Sequence, residues 1–457
     1  MNPKPILGID IGSTKIAAAI AQKSDEKFAL AGFGEVRSQG LKKGVITNIE
    51  LASKSIKNAY DQATRIAGLT PSKAIVSISG AYTKSICSHG LVNIPNQEIT
   101  ISEINRVIQT ALYNANIPYE YEILHVLPYK FRVDEQDFIE DPYGMNASRL
   151  EVDVHIITAP KSALFNLKKA VKEAGIEIEN IVLAGYASAI ATLSPEEKEA
   201  GSCVIDMGGY TCNMVVHVGN SIVYNDFLAV GSAHITNDLS LALHTPTSVA
   251  EEIKIRYGDL SAPQSDYIEI PVIGDEETLN QVSLEIVYNV IYARVEETLM
   301  ILANSLEKSG LKEQIGGGVV LTGGMTKLQG LRELAVAIFD HMPVRIGKPK
   351  KIDSEIADTL EDPKYATLVG LLLYGIAEGT PYEIDSNKKL RYKNEFIELG
   401  SSSLNNLTLT KEPAQPSPQE PEEELLETFE GQLEFKEERL TIKERISKMI
   451  QWFTQLF

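Results

Sequence analysis

Two short segments each place an aspartate at the end of an apolar run and follow it with a turn of small residues. They read Asp10-Ile-Gly12-Ser13-Thr14-Lys15 and Asp206-Met-Gly208-Gly209-Tyr210-Thr211. Such turns can direct backbone N–H groups at phosphate oxygens, and glycine lets a phosphate approach the backbone closely. Asp10 can hold a Mg²⁺ ion through water, because this cation keeps much of its hydration shell. Either turn alone is also compatible with an ordinary hairpin, whereas two of them favour phosphate binding.

Two further segments suit a purine nucleoside. Ala250-Glu251-Glu252-Ile253-Lys254 is predicted to be helical, with Glu251 and Lys254 on one face, where they can contact ribose hydroxyls and a purine edge. By itself such a pair is more often a solvated ion pair. Leu321-Thr-Gly323-Gly324-Met325 predicts a strand that ends in paired glycines, against which a base or ribose can lie. The G-x-G-x-x-G and P-loop motifs are absent.

The elements that position these segments repeat along the chain. Residues 6–21 and residues 203–218 each read as two apolar strands joined by one of the turns, which indicates two related halves. Between them, residues 84–162 predict an inserted α+β subdomain. Its helix begins after Thr100-Ile-Ser-Glu103, a capping-box spacing. One face of this helix is apolar and consists of Ile104, Val107, Ile108, Ala111 and Leu112. The predicted fold class is α/β with two lobes and duplicated halves.

Composition excludes several functional classes. The 457 residues are 44% hydrophobic and carry a net charge of −19, so overall charge does not favour nucleic acid. No apolar run is long enough for a spanning helix. The cysteines, Cys87, Cys203 and Cys212, lack metal-ligand spacing and read as reduced cytosolic thiols. The seven histidines are scattered, and no G-x-S-x-G elbow is present, so neither a zinc site nor a nucleophilic hydrolase is supported.

The C-terminal region divides into an acidic and a basic part. Residues 386–438 are predicted to be a disordered linker, and residues 411–438 hold ten acidic residues against two lysines. The last 19 residues, 439–457, predict an amphipathic helix that lies in the plane of a membrane, with Lys443 and Lys448 beside its apolar face and Trp452 at its boundary. The alternative is a helix that docks on a protein. The apolar face consists of Ile442, Ile446, Met449, Ile450, Phe453, Leu456 and Phe457.

Taken in order, the four nucleotide segments resemble the superfamily of actin, sugar kinases and heat-shock chaperone ATPases. The chain more closely resembles the FtsA family of bacterial cell-division proteins, over residues 6 to about 378 and the C-terminal tip. The more specific segments are Gly44-Val-Ile-Thr-Asn48, Asp141-Pro-Tyr-Gly-Met145, Ala229-Val-Gly231-Ser-Ala-His234-Ile-Thr-Asn-Asp238, Ala250-Glu-Glu-Ile-Lys254, Pro343-Val-Arg345-Ile-Gly347 and Leu368-Val-Gly370-Leu-Leu-Leu-Tyr-Gly375.

The resemblance implies ATP and Mg²⁺ bound between two lobes, with Asp10 on the metal side. The implied contacts are Asp10, Gly12, Ser13, Thr14, Lys15, Asp206, Gly208, Gly209 and Thr211 for the phosphates, and Glu251, Lys254, Gly323, Gly324 and Met325 for the nucleoside. It implies a peripheral protein on the cytoplasmic face of the inner membrane at the division septum. The implied partners are the tubulin-like protein FtsZ, copies of the chain in actin-like filaments, an anionic membrane and later division proteins. Arg294 matches a basic position used in FtsZ docking.

The resemblance also implies a division of the chain. The expected parts are a first lobe (1–83, 163–197 and 362–385), the insertion (84–162), a second lobe core (198–234 and 303–361), its subdomain (235–302), the linker (386–438) and the membrane helix (439–457).

Three positions depart from the family pattern. Tyr210 replaces a usual glycine, Asn213 replaces a frequent aspartate, and Ala184 lies in the segment where chaperone-type ATPases carry a glutamate near the attacking water. Slow ATP hydrolysis, or none, is therefore expected. The alternatives are a sugar-kinase-like phosphotransferase and a pilus-assembly actin-like ATPase.

Overall fold

The computed structural model describes residues 5–23, 28–219, 221–263, 265–353, 357–392 and 395–398. The predicted membrane helix, and the predicted linker from residue 399 onward, lie outside these residues.

The strands of the described part are numbered in chain order. They are Pro5–Ile11 (β1), Lys15–Lys23 (β2), Phe28–Arg37 (β3), Leu41–Lys42 (β4), Val45–Ile46 (β5), Lys73–Ile78 (β6), Lys84–Asn93 (β7), Tyr121–Val133 (β8), Gln136–Ile139 (β9), Arg149–Pro160 (β10), Glu177–Leu183 (β11), Ser202–Met207 (β12), Cys212–Val218 (β13), Ser221–Leu228 (β14), Tyr267–Val272 (β15), Asp275–Ser283 (β16), Val319–Thr322 (β17), Val344–Ile346 (β18), Lys389–Tyr392 (β19) and Glu395–Glu398 (β20).

The α-helices of the same residues are Ile49–Ala67 (α1), Ile101–Asn114 (α2), Lys161–Glu173 (α3), Ala184–Thr192 (α4), Pro195–Ala200 (α5), Ser232–Ala242 (α6), Thr247–Tyr257 (α7), Leu284–Lys308 (α8), Leu331–Ile338 (α9) and Ala366–Gly375 (α10). The predicted helices 50–67 and 283–308 agree with α1 and α8 to within one residue. Asn48 caps α1 by accepting the Leu51 N–H at 3.0 Å, and Gly68, whose φ of 65° suits glycine, caps the C-terminal end of the helix.

The two lobes contain sheets of the same topology. The first lobe has the strand order β3-β2-β1-β6-β11, and the second lobe has β14-β13-β12-β17-β18. In each sheet the hairpin strands pair antiparallel, while the strands reached through helices pair parallel. Such agreement is what duplicated halves would produce.

Helices α4 and α10 cross in close contact in the core of the first lobe. Every residue of α4 is buried, as are the first nine residues of α10, and both sequences are rich in apolar and small residues. At the crossing, a Cβ added to Gly370 would lie 2.9 Å from Ala187 Cα and would overlap the Ala187 carbonyl. Glycine at 370 is therefore what allows the two backbones to approach this closely.

The inserted subdomain, formed by β7–β10 and α2, is an antiparallel sheet of order β7-β10-β8-β9 covered by α2. The predicted capping box is confirmed, because the Glu103 carboxylate accepts the Thr100 N–H at 3.2 Å and Thr100 caps the helix. The five residues predicted to form the apolar face of α2 are all buried. The side-chain periodicity therefore predicted the packed face correctly.

The start of the predicted linker differs from the structure. Residues 389–398 include the paired strands β19 and β20, and Leu390 and Tyr392 pack against the core of the inserted subdomain. The buried Arg391 lies 3.4 Å from Glu383, which in turn accepts a hydrogen bond from His125 of β8 at 2.7 Å. These long-range contacts give order to a segment that looks polar and unstructured in sequence, so the prediction of a disordered linker from residue 386 is wrong for 386–392 and 395–398.

Two histidines are buried where protonation is unfavourable. Burial lowers the pKa of His155 to about 4, and burial together with Lys198 lowers the pKa of His217 to about 3. As pH falls below the ordinary value near 6.5, the unfolded chain takes up protons that the folded chain does not. Folding stability should therefore fall with pH, by about 2 kcal/mol for each histidine at pH 5.

Urea unfolding at pH 7 and pH 5 measures this loss. His155→Asn should remove its share of the pH dependence, whatever it does to stability at pH 7. The matched substitution at the exposed His341 should leave the dependence unchanged. An identical loss in wild type and His155→Asn would contradict the assignment.

Candidate functional site

One cavity of about 550 Å³ lies between the two lobes. All fourteen predicted nucleotide contacts line it, although they come from four separate stretches of the chain. They are Asp10, Gly12, Ser13, Thr14, Lys15, Asp206, Gly208, Gly209, Thr211, Glu251, Lys254, Gly323, Gly324 and Met325. The structure therefore brings together every residue of the predicted site.

The two turns have the same local geometry. Gly12 N–H donates to the Lys15 carbonyl at 3.1 Å, and Gly208 N–H donates to the Thr211 carbonyl at 2.8 Å. Each turn joins two strands that pair antiparallel right up to it. The equivalent bonds hold both four-residue turns in the same shape on the two sides of the cavity.

The turns also touch each other. A Cβ at residue 209 would lie 2.8 Å from Thr14 Oγ1 and would overlap the Thr14 methyl group. Gly209 is thus required by the close approach of the two lobes here. Opposite it, the Ser13 hydroxyl accepts the Gly44 N–H at 2.7 Å, which links the first turn to the hairpin of β4 and β5.

The aspartates are held in different ways. Asp10 forms an ion pair with Lys15 at 3.0 Å and accepts a hydrogen bond from Ser77 at 3.0 Å. Asp206 Oδ2 accepts hydrogen bonds from two hydroxyls of the first lobe, Ser188 of α4 and Thr367 of α10, each at 3.0 Å. Asp206 of the second lobe is therefore fixed by the two crossing helices of the first.

Burial raises the pKa of Asp206, and the nearby carboxylate of Asp10 raises it further. Two acidic groups in one partly buried cavity are expected to favour a cation. Carboxylate and hydroxyl oxygens suit Mg²⁺, which is usually held by one or two carboxylates, water and substrate phosphates. Within the described residues, no group of three or more His, Cys, Asp or Glu side chains is placed to hold a metal ion.

The predicted helical pair lies on α7 and is anchored to α6. Lys254 Nζ donates to Glu251 at 2.7 Å, to Thr236 Oγ1 at 2.9 Å and to the Ser232 carbonyl at 3.2 Å. Thr236 also donates to Glu251. Lys254 is thereby held with its side chain 9% exposed, while the Glu251 side chain remains 45% exposed and can accept a ligand hydroxyl.

Gly323 is the first residue after β17 and lies against Asp206. Its φ is 91°, and a Cβ there would overlap Asp206 Oδ1 and the Met207 carbonyl. Gly324 follows with open space, its nearest neighbour to an added Cβ being Lys364 Cβ at 3.7 Å, and Met325 is buried. The paired glycines thus leave bare backbone facing the cavity, as the sequence predicted.

The three departures from the family pattern also line the cavity. Tyr210 packs edge-on against His234 with ring centroids 5.8 Å apart, and Asn213 Oδ1 accepts the Gly80 N–H at 3.0 Å. Ala184 is the first residue of α4 and has no group that can orient water. Among the described residues that line the cavity, the carboxylates are Asp10, Asp206 and Glu251.

Sequence reasoning did not identify Ser77, Ser188 and Thr367 as site residues. Each is a hydroxyl residue within an otherwise apolar run, a signal that can mark a buried polar contact. The aspartates to which they donate, Asp10 and Asp206, are 18 to 161 residues away in sequence. The apolar segments alone therefore do not reveal these hydrogen bonds.

Arg294 does not line this cavity. It lies on α8, where its guanidinium contacts Asp238 at 2.6 Å and Glu297 at 2.5 Å. The hydrogen bond to Asp238, together with the negative charges of Asp238 and Glu297, raises the pKa of Arg294 above its ordinary value. The predicted membrane-binding residues lie outside the described part of the chain.

Comparison with known proteins identifies the family. Residues 203–370 match the family model described as cell division protein FtsA, and residues 80–158 match the SHS2 domain inserted in FtsA. The chain is 41% identical over 418 residues to cell division protein FtsA of Helicobacter pylori strain 26695, with 85% of each chain covered. It is 37% identical to that of Pseudomonas aeruginosa (82% of this chain, 89% of the relative) and 32% identical to that of Escherichia coli K12 (81% and 90%).

Among solved structures, the PilM–PilN type IV pilus biogenesis complex contains a similar chain. The TM-score is 0.57 at 17% identity, with 81% of this chain and 98% of that chain covered, a likeness of fold alone. No helix in the described residues is both long and apolar enough to cross a membrane. The fold is α/β, with two mixed-sheet lobes and an inserted SHS2 domain. The identity over most of the chain shows that it belongs to the FtsA family of cell-division proteins.

Proposed function

We propose that the chain is an ATP-binding adaptor that tethers FtsZ filaments to the cytoplasmic face of the inner membrane at the division septum. The observation that carries the ATP part is the cavity of about 550 Å³ between the lobes, which brings together two matching glycine turns, two aspartates and a Glu–Lys pair. Membership of the FtsA family supports a role in division.

In this proposal the phosphates lie against the turns at Gly12–Lys15 and Gly208–Thr211. Lys15 would offset phosphate charge, and Asp10 and Asp206 would hold Mg²⁺ through water. The nucleoside would lie between the Glu251–Lys254 pair and the backbone of Gly323–Met325. The bound metal would supply charge neutralisation for the phosphates.

Turnover is proposed to be slow or absent. An attacking water needs a group that orients it against the terminal phosphate. Ala184 has no polar side-chain group, and the amide oxygen of Asn213 already accepts the Gly80 N–H. Asp206 Oδ2 is already occupied by two hydroxyls. The site is therefore better suited to hold ATP than to cleave it.

Asp206→Ala is expected to weaken ATP binding about tenfold or more in the presence of Mg²⁺, since contacts to a charged group contribute about 1.5–3 kcal/mol. Equilibrium titration with a fluorescent ATP analogue measures the effect. In excess EDTA the loss should shrink, because without the metal the carboxylate repels the phosphates.

The matched control is Asp61→Ala, at an exposed position on α1, which should bind ATP like the wild type. A wild-type protein with no affinity for MgATP would overturn the ATP assignment outright.

The tether part of the proposal assigns a role to each of two segments in the second half of the chain. We assign membrane attachment to residues 439–457 and the intervening acidic residues to a linker. FtsZ docking is assigned to the subdomain at 235–302, where Arg294 is held in place by Asp238 and Glu297. Self-association into filaments, and contacts with later division proteins, complete the proposed role.

Reconstitution on anionic liposomes with labelled FtsZ tests the tether directly. FtsZ should sediment with the liposomes only when this protein is present, and Arg294→Glu should reduce the amount recruited. Electron microscopy of the same membranes with ATP should show filaments of the protein. Folded, membrane-bound protein that recruits no FtsZ would leave only an actin-like ATP binder.

A sugar-kinase activity would need a carboxylate base placed for an acceptor hydroxyl. ATP consumption measured across a sugar panel would detect it, and the proposal expects no sugar-dependent turnover. The likeness to the pilus protein concerns the fold alone and favours no pilus role.

A further inference from the structure

The β13–β14 hairpin of the second lobe contacts both the inserted subdomain and the turn that leads into it. Asn213 of β13 and Phe227 of β14 are register partners in this hairpin. Asn213 Oδ1 accepts the Gly80 N–H at 3.0 Å in a buried hydrogen bond, and a Cβ added to Gly80 would lie 3.2 Å from Phe227 Cβ. Gly80 begins the short turn that leads from β6 of the first lobe into β7 of the subdomain. The second lobe thus holds the point where the chain passes into the subdomain.

A second hydrogen bond lies two residues along the same strand. Asn225 Oδ1 of β14 accepts from His155 Nε2 of β10 at 3.0 Å, and His155 is 1% exposed. The other ring nitrogen, Nδ1, lies 3.8 Å from the sulfur of Cys87 on β7. Asn225 therefore contacts the middle of the subdomain's sheet, next to an exposed thiol.

Both asparagines belong to the hairpin that starts at the second phosphate turn. Asn213 comes two residues after Thr211, whose carbonyl closes the turn with Gly208, and Asn213 itself lines the cavity. Between Cys212 and Val216, β13 pairs with β14 without interruption. The turn and both contacts therefore lie on one continuous strand pair.

We propose that the β13–β14 hairpin couples the nucleotide state of the cavity to the position of the inserted subdomain, through the bonds Asn213–Gly80 and Asn225–His155. This inference rests on the proposed ATP binding. A ligand that lies between the two turns fixes Gly208–Thr211 relative to the first lobe. The hairpin then holds Gly80 and His155 in one arrangement, whereas the ligand-free hairpin can move with the second lobe. The coupling requires only that ATP binds one arrangement better than the other.

Cys87 supplies a native reporter for this coupling. It is exposed and adjacent to His155, whereas Cys203 and Cys212 are both 0% exposed. The rate of Cys87 modification by a maleimide can therefore be measured on full-length protein without an engineered cysteine. ATP affinity is determined on the same samples, so that binding and coupling are measured separately.

In the wild type, saturating MgATP should slow Cys87 modification about fivefold, at the low end of typical couplings between sites. Asn225→Ala should retain ATP affinity, because Asn225 lies outside the cavity lining. In this variant the rate of Cys87 modification should no longer depend on ATP. Asn225→Asp keeps the acceptor oxygen and should retain the dependence. Asn280→Ala, at an exposed position of β16, is the matched control and should behave like the wild type.

Each outcome decides the matter. ATP that binds without changing the Cys87 rate in the wild type would overturn the coupling and leave the proposed function intact. A full ATP dependence in Asn225→Ala would equally overturn it. Absence of ATP binding would overturn the proposed function, and this inference with it.

Discussion

Gly370→Ala is expected to lower the free energy of unfolding by about 3 kcal/mol, because a well-packed core does not absorb an added methyl group against backbone. Helix propensity alone predicts the opposite sign, since alanine is favoured over glycine within a helix by about 1 kcal/mol. Packing decides the outcome here. The new Cβ would overlap the Ala187 carbonyl, and α4 cannot retreat because all of its residues are buried.

Urea unfolding followed by circular dichroism measures this change. Gly324→Ala is the matched control, because the nearest atom to its added Cβ is Lys364 Cβ at 3.7 Å, an ordinary contact. It should change stability by no more than about 0.5 kcal/mol. Equal stability of Gly370→Ala and the wild type would show that the helix crossing can relax.

Deletion of residues 439–457 is expected to abolish sedimentation with anionic liposomes while the globular part stays folded. An amphipathic helix binds a membrane through its apolar face and through attraction of its basic residues to anionic lipid. Trp452→Glu or Phe453→Glu should nearly match the deletion, because a charge on or beside the buried face opposes insertion. Trp452 is the only tryptophan and should blue-shift in fluorescence when lipid is added.

Reversal of Lys443 and Lys448 to glutamate separates the electrostatic part. Binding to anionic liposomes should weaken about thirtyfold or more, since each basic residue contributes about 1 kcal/mol near such a surface. The loss should shrink at high salt. Reversal of Lys54 and Lys57, exposed on α1, is the matched control and should not alter binding. Full sedimentation of the truncated protein would place the anchor elsewhere.

The nucleotide contacts could be predicted because their chemistry is local. Asp10, Asp206 and the glycines of both turns are defined by strand ends and tight turns, which short stretches of sequence specify. Duplication of the halves was visible for the same reason, since each half repeats a hairpin with an aspartate before the turn.

The supporting shell of the site could not be predicted, because it is made by tertiary contacts. Ser188 and Thr367 are 179 residues apart, yet they bond to each other at 2.9 Å and to the same oxygen of Asp206. The predicted start of the linker was wrong for a related reason. Asp385 is fixed by Asn180 at 2.7 Å, a partner that lies 205 residues earlier in the chain.

The C-terminal hairpin of β19 and β20 has a mechanical consequence. Ile384 bridges Val126 of β8 to Leu390 of β19, so the last described strands are attached to the inserted subdomain. Any tension applied to the chain beyond Glu398 first reaches the β19–β20 hairpin, and from there the subdomain, the buried Glu383–His125 bond and the Asn180–Asp385 bond to β11. A pulling load would therefore act on the inserted subdomain and on β11 of the first lobe, and the two-stranded hairpin is the element that would separate first.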